Sequence, residues 1–300
     1  MVFCQGNLAP SKRMWYNDQN TTQKQVIPLE NKQNLHTHTT FADGKDTPEE
    51  LILAAMDKGF TGIGFSEHCY NPYSTSTSQM QPQAVPQYQA EIRALKGKYK
   101  GKIDVFCGLE LEYYCDDALE NYDYVIGSVH YLDFDGQVLG FDRDLEETLD
   151  YVNTHFAGDG LAFAKKYYET VIHLPEKGKI DILGHFDLLT KNNEQGKFVD
   201  TTDKKYLDFG FEAIHALKGK IPIFEVNTGA MARGYRTAPY PQLDFMKEFR
   251  KCGFGVAITS DCHDKNNLDC HFAESRQLLQ EAGFTTHWIL TDDGFREVRL

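Results

Sequence analysis

QNLHTHTTFADGKDTPEELILAAMDKGFTGIGFSEH, residues 33–68, reads as strand, helix and strand in succession. QNLHTHT is a short strand candidate. Thr47, Pro48 and Glu50 then form a helix start, with a capping threonine, proline at the first helical position and glutamate at the third. The amphipathic run that follows stops at Gly59, a residue suited to a helix C-terminus. TGIGFSEH is the next apolar run. Two strands joined through a helix are parallel neighbours.

The same alternation continues outward. IDVFCGLELEYY, YDYVIGSVHYL, IDILGHFDLL, IPIFEVNTGA and GVAITSDCH are further strand candidates. Amphipathic stretches sit between most of them, and Gly219 and Gly253 fall where two of these should end. Seven βα units in one run imply an α/β fold with a parallel sheet, closed or nearly closed into a barrel. No composition break divides residues 31–300, which are read as a single domain. Residues 1–30 read as a polar extension without the apolar core of a signal peptide. Two long polar insertions, residues 69–86 and 133–160, have the length of functional lids. THWILTDDGFREVRL closes the chain as strand, turn and strand.

The 300 residues carry a net charge of −13, which argues against a broad nucleic-acid groove. No apolar run reaches the length of a membrane span. Seven cysteines are scattered without a CxxC pair, the usage of a reduced, cytoplasmic protein.

Polar residues cluster at the strand ends. Side chains two apart on a strand share a face. That pairs His36 with His38, Ser66 with His68, Glu110 with Glu112, Ser128 with His130, His185 with Asp187, Glu225 with Asn227, and Asp261 with His263. In a barrel these ends carry the active site. One buried histidine is ordinarily a hydrogen-bonded core residue. A carboxylate such as Glu110 between apolar neighbours is rarely buried without a partner or a metal. The joint pattern therefore reads as a coordination shell. His36, His38, Glu110 and Asp261 would surround one ion. His130 and His185, with Glu110 bridging, would hold a second, and Asp43, His68 and His263 a third. Mixed imidazole and carboxylate donors suit Zn²⁺, Mn²⁺ or Fe²⁺. Cys262 faces away between Asp261 and His263. His155, His173, His215, His271 and His287 are read as ordinary histidines outside the set.

HTHTTFADG, GFSEH, GLELE, SVH, LGHFD and TSDCH, in this order, resemble the motifs of the PHP (polymerase and histidinol phosphatase) superfamily. Within it the chain is most similar to the monofunctional histidinol-phosphate phosphatases. The resemblance implies a distorted (β/α)₇ barrel with a trinuclear metal site at the C-terminal ends of the strands. It places ligands on His36, His38, Asp43, His68, Glu110, His130, His185, Asp261 and His263. Many relatives carry histidine where this chain has Asp43.

The implied reaction is hydrolysis of a small phosphomonoester, most simply histidinol phosphate, by a metal-bridging hydroxide attacking phosphorus in line. Asp261 and His263 belong to the catalytic set, and Asp187 is a candidate proton donor or orienter of His185. Arg233 and Arg236, just past the sixth strand, are candidates for the phosphoryl group, with Lys191 behind them. Glu112 is a candidate partner for a substrate ammonium. Two other readings stand beside this one: a phosphoesterase acting on nucleotides, oligonucleotides or other small esters, and a barrel whose metals only stabilise it. Oligomeric state is not legible.

Overall fold

The computed structural model describes residues 31–74, 76–116 and 118–300. The polar extension of residues 1–30 lies outside the described residues. From β1 (Gln33–Asn34) the chain passes through α1 (Pro48–Asp57) to β2 (Gly62–His68), then through α2 (Val85–Tyr99) to β3 (Asp104–Glu112) and on to β4 (Tyr124–Ser128). The hairpin of β5 (Tyr131–Phe134) and β6 (Gln137–Gly140) follows, then α3 (Leu145–Phe156), α4 (Gly160–Ile172) and β7 (Ile182–Leu183). After α5 (Lys204–Leu217) come β8 (Ile223–Asn227), the one-turn α6 (Gly229–Ala232), α7 (Leu243–Cys252) and β9 (Gly255–Thr259). The last elements are α8 (Phe272–Glu281) and a hairpin of β10 (Thr286–Thr291) and β11 (Gly294–Arg299).

Seven strands pair in parallel in the order β1-β2-β3-β4-β7-β8-β9. The two edges meet just past the strand ends, where Thr37 pairs with Cys262 in parallel. There His38 N–H donates to Cys262 O at 2.8 Å and Cys262 N–H to His36 O at 3.1 Å. The sheet is therefore a nearly closed barrel. The sequence correctly marked the start of α1: Thr47 accepts from Glu50 N–H while the Glu50 carboxylate accepts from Thr47 N–H. One connection departs from the regular alternation. Among the described residues between β3 and β4 there is no helix; the link is short, and Cys115, Leu119 and Tyr122 pack on the core from turns.

Apolar side chains fill two compartments. The larger lies between the sheet and its helices. The smaller is the barrel interior, built from Leu35, Phe106, Tyr124, Ile126, Ile182, Ile223, Ala257 and Leu290. The Tyr124 ring fills this space where Gly108 leaves room; a Cβ on Gly108 would meet the ring itself. Its hydroxyl donates to the carbonyls of Leu35 and Phe65. The C-terminal hairpin seals the N-terminal end of the barrel. Gln33 Nε2 donates to Leu290 O at 3.0 Å and Leu290 N–H returns a bond to Gln33 Oε1 at 2.7 Å. The opposite end is left for the polar strand termini.

Candidate metal centre and its cavity

Glu110 is the hub of that end. It stands on β3, 1% exposed, and imidazoles from five histidines reach it. His68 Nδ1 lies 2.6 Å from Oε2 and His185 Nε2 2.9 Å from Oε1. His36, His130 and His38 follow at 3.4, 3.6 and 3.7 Å. Asp261 Oδ1 is 3.2 Å from His38 Nε2 and 3.7 Å from His36 Nε2. Asp43 Oδ1 is 3.2 Å from His263 Nε2 and 3.8 Å from His68 Nε2. Donor atoms gather into four overlapping groups: His38, Asp43, His68 and His263; His36, Glu110 and His185; His36, His38 and Asp261; and His68, Glu110 and His130. The structure thus brings together all nine side chains named from the sequence as ligand candidates. It shares them differently, since His130 and His185 approach Glu110 in separate groups.

The donors are held in place from behind. Glu225, wholly buried on β8, accepts from His36 Nδ1 at 2.9 Å, His185 N–H at 2.7 Å, Asn227 Nδ2 at 2.8 Å and Thr259 Oγ1 at 2.8 Å. That bond assigns the proton of His36 to Nδ1 and turns Nε2 toward Glu110 and Asp261. Glu112 does the same for His130, accepting from its backbone N–H at 2.7 Å and from Nδ1 at 2.9 Å. Ser128 Oγ donates to Glu110 Oε1 at 2.8 Å. Arg233 reaches Asp261 Oδ2 at 2.9 Å, Asp261 O at 3.1 Å and His263 Nδ1 at 3.1 Å. Asp261 itself has φ of 45°, a conformation that costs a non-glycine residue energy and tends to persist at functional sites. Gly229 makes the approach possible, because a Cβ there would lie 2.8 Å from the Asp261 Cβ.

These contacts set the charges. Burial opposes ionisation of Glu110, but His68, His36 and His130 outweigh it and hold the carboxyl well below its ordinary range. Burial likewise opposes the charge on Asp261, and Arg233 with His36 outweighs it, leaving the carboxyl well below its usual range. Burial disfavours the His36 cation, yet Glu225, Glu110 and Asp261 raise it well above the usual value. His68 is pushed up to about 9, with Glu110 and Asp43 overcoming its burial. His38 goes the other way, to about 3, through burial and the neighbouring His68 and His263.

Several buried donor atoms here lack hydrogen-bond geometry: His36 Nε2, both ring nitrogens of His38, Glu110 Oε2, His185 Nδ1 and Asp261 Oδ1. Buried polar atoms are almost always bonded. Imidazole and carboxylate atoms that converge at short range without proper hydrogen bonds have the chemistry of a divalent-cation site, and the mixed set fits Zn²⁺, Mn²⁺ or Fe²⁺.

Above this floor opens a cavity of about 790 Å³. Both long insertions form its walls. Residues 69–86 contribute Asn71, Tyr73 and Gln79 among others. Residues 133–160, folded as part of the β5–β6 hairpin and α3, contribute Asp142, Glu147, Asp150 and Thr154. Arg233 lines the cavity with its side chain 32% exposed. Lys191 also lines it, but its ammonium is paired with Asp142 Oδ2 at 3.0 Å. Glu112 lines it too, with one carboxylate oxygen committed to His130 rather than free for a substrate ammonium.

Three expectations from the sequence need correction. Asp187 does not share the face of His185, because both lie past the end of β7 at Leu183 and the chain turns into a 3₁₀ helix directly after Asp187. It precedes a short 3₁₀ turn, is wholly buried, and accepts Gln242 N–H at 3.0 Å away from the cavity. Burial raises its carboxyl despite the nearby Arg236, but it does not line the cavity where a leaving group would need a proton. Arg236 also leaves the site. Its guanidinium lies 4.4 Å from the Tyr240 ring centre and bonds Thr190 Oγ1, beside a second cavity. His155, expected to be unrelated, lines the main cavity while stacked on Phe134 at 4.5 Å. The bracing role of Glu225 was not read from the sequence, although a carboxylate inside IFEVN carries the same signal as Glu110.

Comparison with known proteins bears on this geometry. The PHP domain profile matches residues 34–228. The chain is similar to a "Probable histidinol-phosphatase" of Deinococcus radiodurans, 27% identical over 265 residues that cover 84% of this chain and 94% of that protein. It is also similar to the "Histidinol-phosphatase" of Bacillus subtilis, 28% identical over 264 residues, covering 79% and 95%. Among solved structures, the fold resembles histidinol phosphate phosphatase of Lactococcus lactis, crystallised with zinc, L-histidinol and phosphate. That match has a TM-score of 0.63 at 20% identity and covers 89% of this chain and 99% of that one. A profile spanning well over half of the chain, on a barrel that gathers the motif histidines and carboxylates at one end, makes this chain a member of the PHP domain family.

Proposed function

We propose that the chain is a metal-dependent phosphomonoesterase that hydrolyses L-histidinol phosphate to L-histidinol and phosphate. The observation that carries the reading is the set of nine converging donors, with buried atoms lacking hydrogen bonds, facing a cavity that also presents Arg233. The relatives named above supply the substrate. The four overlapping donor groups support three divalent ions per chain, Zn²⁺, Mn²⁺ or Fe²⁺. Bound ions would neutralise phosphoryl charge and lower the pKa of water. The protein's own part follows from its contacts. Arg233 binds a phosphoryl oxygen while bracing Asp261 and His263. Glu225 and Glu112 fix the rings of His36 and His130. The insertion walls keep bulk water from the reacting group. Residues 31–300 serve as the catalytic domain. No helix among the described residues is long and apolar enough to cross a membrane, and the partner in this reading is a small phosphorylated molecule rather than nucleic acid.

The test is phosphate release from histidinol phosphate, nucleotides and sugar phosphates, with each metal supplied in turn and metal content measured on the same sample. Histidinol phosphate is expected to give the highest kcat/KM, with three ions per chain at full loading. Faster turnover of a nucleotide or sugar phosphate would redirect the substrate assignment, and saturation at one ion would reject the trinuclear arrangement.

Metal uptake has a pH signature. With its pKa raised to about 9, His68 is protonated at neutral pH in the metal-free protein, and a ligand imidazole must lose that proton. Zinc binding at pH 7 is expected to release protons, so apparent affinity climbs as pH rises toward 9. The same shift contributes stability to the metal-free protein that is fully present below about 6.5 and lost as pH rises through about 9. Calorimetry in buffers of different ionisation enthalpy measures the first effect. A binding heat that does not depend on the buffer would contradict it.

A further inference from the structure

Every phosphomonoester offers the same phosphoryl group, so a site built from cations and Arg233 cannot by itself tell one ester from another. Discrimination has to come from side chains that meet the alcohol. Three large hydrophobic side chains stand out as exposed among the described residues: Tyr73 at 57%, Leu53 at 48% and Tyr235 at 40%. Leu53 lies on α1. Both tyrosines line the main cavity, and they arrive there from different segments of the chain.

Each ring is presented by a braced segment. Tyr73 N–H donates to Asn71 Oδ1 at 2.9 Å, and the Asn71 backbone is tied in turn to the Gln79 side chain. The Tyr73 ring meets Tyr114 edge to face at 6.5 Å. Tyr235 N–H donates to Ala230 O at 2.9 Å, at the end of α6. Lys191 Nζ sits 5.1 Å from the Tyr235 ring centre and is itself held by Asp142. The cavity is of mixed lining, with Leu139, Leu188, Tyr131 and Tyr151 beside the charged groups, and of its aromatic rings Tyr73 and Tyr235 are the exposed ones. Exposed rings bind planar, polarisable or cationic groups by stacking and cation–π attraction. The cavity, at about 790 Å³, falls in the size range that encloses a whole small ligand rather than a phosphate alone.

We propose that Tyr73 and Tyr235 form an aromatic rim that selects phosphate esters whose alcohol carries a planar ring. The proposal rests on the phosphatase reading above and adds the residues that determine its specificity. The phosphoryl group occupies the floor beside Arg233, and the ring of the alcohol lies against the tyrosines at the mouth. Both side chains are exposed and lie outside the buried core; Tyr73 touches Tyr114 and Tyr235 lies beside Lys191, so inhibition by inorganic phosphate reports whether the floor is disturbed.

The experiment compares histidinol phosphate with L-alaninol phosphate, which keeps the amino alcohol and lacks the imidazole. The wild-type enzyme is expected to prefer histidinol phosphate. Tyr73→Ala and Tyr235→Ala should each lower kcat/KM for it roughly three- to tenfold, chiefly through KM. The value for alaninol phosphate should move less than twofold, and inhibition by inorganic phosphate should stay the same. Tyr73→Phe and Tyr235→Phe should retain the preference, since the ring rather than the hydroxyl makes the contact. A wild type that treats both esters alike, or alanine variants that lose both substrates equally or neither, would overturn the rim while leaving the phosphatase reading intact. A wild type that releases phosphate from neither ester would remove that reading and the rim with it.

Discussion

Glu110→Gln is expected to lower kcat/KM about a thousandfold, equivalent to roughly 4 kcal/mol of lost transition-state stabilisation. The substitution keeps volume and shape, so the barrel should fold. It removes the one carboxylate that five imidazoles approach, from 2.6 to 3.7 Å. An amide offers one acceptor oxygen and no negative charge. The two donor groups that include Glu110 should lose affinity, whereas His38, Asp43, His68 and His263 still converge without it. Metal content should therefore drop by part of its full value rather than to zero. His271→Asn is the control. Among the described residues that ring pairs with the exposed Glu274 at 3.3 Å, outside the site, and activity should stay within twofold. Equal losses in the two variants, at unchanged metal content, would show that Glu110 is not at the centre of the site.

Arg233→Ala is expected to lower kcat/KM ten- to a hundredfold, the effect of removing a charge-assisted contact of about 1.5–3 kcal/mol. The structure refines what should change. The guanidinium is partly exposed to the cavity and simultaneously bonded to Asp261 and His263. Its loss should raise KM and weaken inhibition by phosphate, because product and substrate share the group it would bind. It should also leave the buried carboxylate of Asp261 without its cationic partner, so some loss of metal affinity accompanies the kinetic change. Arg233→Lys should recover only part of the activity, since an ammonium cannot bond a phosphoryl oxygen and two oxygens of Asp261 as a planar fork can. Steady-state kinetics with metal content on the same sample decides the matter. Unchanged kcat/KM together with unchanged phosphate inhibition would take Arg233 out of the site.

Much of this site was legible because strand ends obey a simple rule. Alternation put Glu110 and Glu112 on one face, and both reach the polar end of the barrel. The nine clustered side chains come from segments spread between residues 36 and 263; eight follow apolar runs as a histidine or carboxylate, and Asp43 lies in the turn before α1, marked by the HTHTTFADG motif. Failures came where the chain turned away from the barrel end: Asp187 opens a 3₁₀ turn, and Arg236 lies in the loop after α6. β7 is two residues long; His185 just past it still reaches the site, whereas Asp187 lies in the core, where tyrosines and Arg236 surround it. Arg236 follows a one-turn helix, and loop geometry sent it behind the floor instead of over it. Neither outcome has a periodic signature. The cavity walls were legible only as long insertions, because α3 presents Glu147, Asp150, Thr154 and His155 by virtue of how it docks. Glu225 could have been found by the argument that singled out Glu110, applied to its own strand.

Closure of the barrel also sets an order of events in time. Asn34 Nδ2 bonds Ser260 Oγ at 2.7 Å across 226 residues of sequence, and His36 and His38 meet Asp261 only through that same seam. The first half of this chain holds His36, His38 and His68 with Asp43 and Glu110, but Asp261 and His263 come only near the other end of the sequence. The C-terminal hairpin that seals the other end is synthesised later still. Such long-range closure is slow relative to local helix formation. Full metal loading therefore waits until Asp261 and His263 have joined the seam with His36 and His38.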